Sequence, residues 1–164
     1  MRRFCLSACC VLVLASLAMA ENSLNSQWNC QKPSDAHSID VGDQPDHSYA
    51  VTKTTCTAAK PEANVLKEKE GVGTQFSETK GGLSTWHGVF VVTTDGGDKI
   101  YYNYENVGAG MVKDGQFQSG NNKWSIAGGT GKFAGAKGSG MCRGKGNADG
   151  TAVWDCTGTY TLAK

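Results

Sequence analysis

Glycine recurs through the segment GGTGKFAGAKGSG, residues 128–140, and through the MCRGKG that follows it. Glycine has no Cβ, so it lets a strand bend sharply and leaves room for a large side chain on a neighbouring strand. This density in a strand-like context is typical of a small, tightly curved β-barrel. The feature therefore constrains the fold and says nothing about chemistry.

The first twenty residues have the three parts of an export signal. Arg2 and Arg3 give a basic start, residues 9–17 are apolar (CCVLVLASL), and small residues precede Glu21. We therefore predict a signal peptide over residues 1–20, cleaved after Ala20, and a secreted or periplasmic protein. A twin-arginine signal and a lipoprotein box are weaker alternatives, since the polar n-region is short and Cys9 stands at the start of the apolar run instead of after it.

Residues 21–164 have the length of a single domain. Without Arg2 and Arg3 the 16 basic residues become 14 against 15 acidic ones, a net charge of −1. The lysines are scattered and form no basic run, so nucleic-acid binding is not expected. No later segment reaches the roughly 20 apolar residues of a membrane span, and none is expected. The sequence does not predict the oligomeric state.

Four cysteines remain after cleavage, and in an exported chain they predict two disulfides rather than a zinc site, since no CxxC pair occurs. A three-residue loop at Gly150 would place Cys142 directly opposite Cys156. Cys30 and Cys56 flank a turn at equal distances, which favours a second bridge between them. The alternative pairing, Cys30 with Cys156 and Cys56 with Cys142, remains open.

Alternating, β-branched and aromatic runs between glycine-rich turns predict an all-β fold. The charged segment 61–70 is interpreted as a solvated loop or a single turn. Predicted strands cover residues 27–31, 37–41, 48–58, 73–78, 85–94, 99–107, 111–118, 123–127, 137–145 and 151–161.

Two hairpins have a predicted register. A two-residue turn at Gly96 and Gly97 would pair Val91 with Tyr102. The face without a formal charge is then expected to point inward. It carries His87, Val89, Val91, Ile100, Tyr102, Tyr104 and Asn106.

The last hairpin sets glycines opposite aromatic rings. Gly144 is predicted to face Trp154, and Gly138 to face Tyr160. Rings that fill the space left by glycine are typical of a barrel interior.

Motifs for chemistry are absent or out of context. Gly129, Gly131 and Ala134 match a dinucleotide-binding pattern, but that pattern requires a βαβ unit. The loop with His37, Asp43 and His47 does not have the spacing of a known metal site and is interpreted as a solvated turn. No catalytic residue, metal or cofactor is therefore predicted.

The glycine-rich segment and the closing hairpin that ends in TGTYTL resemble the allene oxide cyclase barrel superfamily, which includes dirigent-like proteins. The resemblance covers residues 89–162. It implies a closed antiparallel barrel of about eight strands around a mainly apolar cavity. Members cyclise fatty-acid epoxides or steer phenoxy-radical coupling; no catalytic position of theirs carries over to this chain.

Three functions are consistent with these features. The first is binding of a small apolar or amphipathic ligand in the barrel. The second is an isomerase or cyclase acting there on a lipid-like or phenolic substrate, and the third is an interaction module with a solid core. A cavity of about 300 Å³ or more favours the first two. The candidate cavity residues are His87, Tyr102, Tyr104, Asn106, Trp154 and Tyr160.

Overall fold

A computed structural model describes residues 21–59 and 66–163. The predicted signal peptide and residues 61–65 of the segment 61–70 lie outside these residues. Of the described residues 66–70, Leu66 lies in a turn and Lys67 outside regular structure, whereas Glu68 to Glu70 begin a strand and are not a loop or a turn.

Ten strands account for most of the described chain. They are β1 Asn22–Cys30, β2 Ser34–Asp40, β3 His47–Ala58, β4 Glu68–Lys80, β5 Leu83–Thr94, β6 Lys99–Asn106, β7 Gly110–Lys113, β8 Gln116–Gly129, β9 Lys137–Gly146 and β10 Ala152–Thr161. Gly131–Phe133 forms a single 3-10 turn. Within residues 21–59 and 66–163, no helix is long and apolar enough to cross a membrane.

Eight strands form a closed antiparallel barrel in the order β1, β10, β9, β8, β6, β5, β4 and β3. Pairing of β1 with β3 closes the ring at Cys30 and Cys56. Strand β2 runs along β3 beyond this closure, and the short β7 pairs with β5 and β8. The predicted all-β barrel of about eight strands is confirmed.

Both disulfides join residues that face each other directly in the sheet. Cys30 is bonded to Cys56 and Cys142 to Cys156. The loop before Thr151 has Gly150 at φ 86°, and the Asn147 N–H donates to the Thr151 carbonyl, as the three-residue loop requires. The favoured pairing is confirmed, and the alternative pairing is wrong.

Glycines leave space for rings on the inner face of β9 and β10, as predicted. A Cβ on Gly144 would lie 2.6 Å from the Trp154 ring, and a Cβ on Gly140 would lie 2.6 Å from the Trp124 ring. Since real Cβ atoms do not approach other atoms so closely, glycine is required where these two tryptophans fill the barrel.

One predicted strand, residues 111–118, is wrong. The chain turns at Asp114 and Gly115, which have φ values of 51° and 71°. Strand β7 therefore ends at Lys113, and β8 begins at Gln116 and continues to Gly129. The Asp-Gly pair is a strong hairpin signal, because both turn positions need a positive φ.

The predicted register of β5 and β6 is wrong by one residue. Tyr102 pairs with Phe90, not with Val91, because the loop has three residues with Gly97 in the left-handed region. A slip of one residue turns every side chain of a strand to the opposite face. Ile100 and Tyr102 of β6 are buried as predicted, but β5 is reversed and buries Trp86 and Val92 instead of His87 and its neighbours.

Candidate ligand cavity

The barrel contains a cavity of about 140 Å³ that is partly open to solvent, and all eight barrel strands contribute to its wall. An apolar cavity of about 150 Å³ holds one benzene molecule, whereas sites for drug-sized ligands have about 300 Å³ or more. The cavity therefore matches a molecule with a single ring. It is smaller than the roughly 300 Å³ expected above for a ligand-binding or enzymatic barrel.

Six of the 17 residues that line the cavity are aromatic. Trp28 and Phe90 meet edge to face across the barrel at 5.0 Å between ring centroids. Trp124 and Tyr102, on the neighbouring strands β8 and β6, meet edge to face at 5.6 Å. Each of these side chains points inward because alternate residues of a strand face one side of the sheet. The wall offers flat apolar surfaces, which suits a compact ring.

A carboxylate is buried in this apolar wall. Glu68, at the start of β4, is 1% exposed, and its Oε1 accepts a hydrogen bond of 2.5 Å from the Tyr102 hydroxyl. Burial, reinforced by the negative charge of Glu68, raises the pKa of Tyr102 well above its ordinary value. Tyr102 therefore stays neutral, and its hydroxyl remains a hydrogen-bond donor to Glu68.

The indole of Trp124 contributes a donor without a partner. Trp124 is 6% exposed and lines the cavity, and its Nε1 has no hydrogen-bond partner among the described residues. An unpaired buried donor costs about 1–3 kcal/mol. A ligand oxygen in the cavity could remove that cost.

Two further polar side chains reach the cavity from facing strands. The Tyr104 hydroxyl lies 3.5 Å from Gln75 Oε1, and burial raises the pKa of Tyr104. Asn122 also lines the cavity, but its Oδ1 already accepts a hydrogen bond of 2.6 Å from Trp86 Nε1. The cavity thus combines an apolar wall with a few fixed polar groups.

The six predicted ligand residues separate into two groups. Tyr102, Tyr104 and Trp154 line the cavity. Tyr160 is buried outside its wall, where burial and the charge of Glu68 raise the pKa of Tyr160. Asn106 also lies outside the wall, and its Oδ1 accepts a hydrogen bond from the Trp86 backbone N–H.

His87 lies on the outer face of the barrel, which corrects its expected place inside. Its ring stacks on Phe76 with centroids 5.6 Å apart and planes 13° apart. Both rings line an outer groove of about 530 Å³, together with Ile39 and Tyr49. The reversal of β5 explains why His87 faces outward.

The predicted solvated turn with His47 is held by two carboxylates. His47 is 8% exposed, with Nδ1 2.6 Å from Asp43 Oδ1 and Nε2 2.9 Å from Glu78 Oε1. These hydrogen bonds raise the pKa of His47, and the bond from His47 lowers the pKa of Asp43. No cluster of three metal-ligating side chains occurs in residues 21–59 and 66–163.

Sequence reasoning missed the two most informative side chains of the cavity, Glu68 and Trp124. Glu68 stands in a run of charged residues that is typical of a solvated loop. The predicted strand 123–127 contains Trp124, but without the register of β8 its inward direction was unknown. Trp124 pairs with Tyr104, so a predicted pairing of these two strands would have indicated that Trp124 faces inward like Tyr104.

No protein-family profile matches this chain, and no curated protein sequence matches it significantly. Solved structures do match. The pterocarpan synthase dirigent protein GePTS1 superposes with a TM-score of 0.52 at 13% identity, over 97% of this chain and 98% of that one. The fold is dirigent-like. A second structure, of the pterocarpan synthase dirigent protein PsPTS1, has a TM-score of 0.49 at 14% identity, over 88% of this chain and 97% of that one.

Proposed function

We propose that this protein is an exported barrel that binds one small apolar or amphipathic molecule in its cavity. The observation that carries the proposal is the buried, unpaired N–H of Trp124, a side chain that lines the cavity. A ligand oxygen that accepts this hydrogen bond would fix the orientation of the bound ring. The proposed ligand is a single-ring compound with a carbonyl, ether or hydroxyl oxygen.

Size and shape support this ligand class. The volume of about 140 Å³ accommodates one six-membered ring with a small substituent. Two disulfides and several aromatic side chains form the wall, so its shape is set before a ligand arrives. A preformed cavity lowers the entropy cost of binding.

Export is part of the proposal. The predicted signal peptide, residues 1–20, would direct the domain 21–164 to an oxidising compartment. Disulfides persist in such compartments, and this chain has two. The dirigent-like fold is compatible with binding in the barrel, while the pterocarpan synthase activity in the names of the matched structures is not carried over.

A pair of matched ligands tests the proposal by titration calorimetry. Cyclohexanone and methylenecyclohexane have the same ring, but only cyclohexanone has an oxygen acceptor. We expect wild-type protein to bind cyclohexanone about five-fold more tightly, since a net hydrogen bond contributes about 1 kcal/mol. Trp124→Phe should remove this preference, because it keeps an aromatic ring and loses the N–H.

Tyr49→Phe is the matched control, because it removes a polar atom from an aromatic residue in the outer groove. It should leave the preference unchanged. If neither ligand gives a saturable heat of binding with wild-type protein, cavity binding is contradicted. In that case the interaction module, which needs no cavity, would become the better account.

A further inference from the structure

We propose that the cavity also isomerises small unsaturated ketones by moving a proton, with Glu68 as the base and Trp124 as the donor to the ketone oxygen. The inference rests on the proposed function, because the substrate must enter the same cavity. It adds a reaction class to the binding site. The substrate class is a β,γ-unsaturated ketone with one ring, and the product is its α,β-unsaturated isomer.

Glu68 is placed as a base should be. It lines the cavity at 1% exposure, where little water can solvate the carboxylate. The Tyr102 hydroxyl binds Oε1 and thereby fixes the orientation of the carboxyl group. A base held in one orientation beside a bound ring gains the rate advantage of proximity. Tyr102 is then a positioning residue.

Trp124 supplies the complementary group. Its Nε1–H is buried and has no partner among the described residues, and the Trp124 side chain lines the same cavity. Tyr102 contacts both Glu68 and Trp124, since its hydroxyl binds the Glu68 carboxylate and its ring packs edge to face with the Trp124 ring. A donor stabilises a developing oxyanion more than a neutral carbonyl, so this N–H would lower the barrier as well as bind the ketone.

The reaction needs no co-reactant. The Glu68 carboxylate takes a proton from the carbon between the carbonyl and the double bond, and the electron pair moves into a dienolate. The negative charge rests largely on the oxygen that accepts the Trp124 hydrogen bond. The Glu68 carboxyl then returns the proton to the γ carbon, so substrate and product have the same atoms and electrons.

The substrate to use first is 3-cyclohexen-1-one, because its single ring fits about 140 Å³. Its conversion to 2-cyclohexen-1-one is followed by the ultraviolet absorbance of the conjugated product. We expect wild-type protein to convert the ketone faster than buffer alone does. In D₂O the γ carbon of the product should carry mainly hydrogen, because Glu68 returns the proton that it removed.

Three variants separate the roles. Glu68→Gln should lower kcat about 100-fold or more, as expected for loss of a base. Trp124→Phe should lower kcat/KM about 100-fold, as for loss of an oxyanion donor. Tyr102→Phe should lower kcat while the KM stays nearly unchanged, as expected for a residue that positions the base. Glu105→Gln is the control, because Glu105 is exposed and pairs with Lys123 on the outer face.

Cyclohexanone binding, measured on every variant, distinguishes the two proposals and detects misfolding. Wild-type protein that binds cyclohexanone but does not isomerise the enone above buffer would overturn this inference and leave the binding function standing. Equal activity in wild type and in a Glu68→Gln variant that still binds cyclohexanone would overturn it as well. Absence of binding in wild type would overturn both.

Discussion

The Tyr102 hydroxyl donates a hydrogen bond of 2.5 Å to Glu68 Oε1 inside the barrel. The two residues belong to β6 and β4, which are separated by β5 in the sheet, so the bond crosses the interior. A charged group is tolerated in an apolar interior only where such a partner compensates for lost water. This pair gives the apolar cavity its acid–base group.

Removal of the Tyr102 hydroxyl should destabilise the protein. Tyr102→Phe leaves a buried carboxylate without this donor, so we expect the free energy of unfolding to fall by about 1–3 kcal/mol. Urea denaturation measures the change. Tyr101→Phe is the control, because Tyr101 is the neighbouring tyrosine and faces outward. Equal effects of the two substitutions would show that the bond to Glu68 does not stabilise the fold.

His47 should make stability depend on pH. Because the folded-state pKa is raised, the contribution of His47 is fully present below its unfolded pKa of about 6.5 and is lost as pH rises through the higher folded value. Asp43 has a lowered pKa, so its contribution is present above its unfolded value of about 3.9 and is lost as pH falls through the folded value. Their bond should therefore stabilise the protein most between these limits.

The Tm of wild type and His47→Gln, measured from pH 3 to pH 9, tests this window. The difference in Tm should be largest near pH 5–6 and should shrink towards both ends. His87→Gln is the control, because His87 stacks on Phe76, and its Tm should differ from that of wild type by a constant amount across this pH range. A constant difference for His47→Gln would exclude a role for its charge.

Gly140 should not tolerate a side chain. The Cβ of alanine would overlap the Thr157 carbonyl and lie 2.6 Å from the Trp124 ring. We expect Gly140→Ala to lower the free energy of unfolding by about 1–3 kcal/mol and to weaken ligand binding, since Trp124 must move. Gly96→Ala is the control: its nearest non-neighbouring atom is 4.0 Å away, and it should stay within about 0.5 kcal/mol of wild type.

Each disulfide should contribute according to the loop that it closes. Replacement of Cys142 and Cys156, which are 14 residues apart, should cost about 3 kcal/mol. Replacement of Cys30 and Cys56, which are 26 residues apart, should cost about 3.5 kcal/mol. Denaturation of the two double-serine variants measures both values. A peptide map that joins Cys30 to Cys156 would contradict the pairing.

The sequence predicted those parts of the fold whose local signals allow one interpretation. Gly150 fixes a three-residue loop, and that loop determines the pairing of Cys142 with Cys156. The pair Gly96-Gly97 is compatible with a two-residue or a three-residue loop, so sequence alone did not determine the register of β5. Because one residue reverses a strand, His87 was assigned to the wrong face.

The cavity was less predictable than the barrel. Trp154, Tyr102 and Tyr104 follow from strand alternation and glycine spacing, and all three line it. The position of Glu68 in the wall cannot be predicted from such patterns, because its burial depends on the Tyr102 hydroxyl, 34 positions away in the chain. The unpaired Trp124 N–H also depends on everything packed around it, which no local pattern describes.

The indole N–H resonances of the protein test ligand binding most directly. The chain has four tryptophans, and Trp124→Phe identifies the signal of the cavity donor in a ¹⁵N–¹H spectrum. Added cyclohexanone should move that signal downfield as a hydrogen bond forms, while methylenecyclohexane should not. A Trp124 signal that stays in place at saturating cyclohexanone would contradict the account.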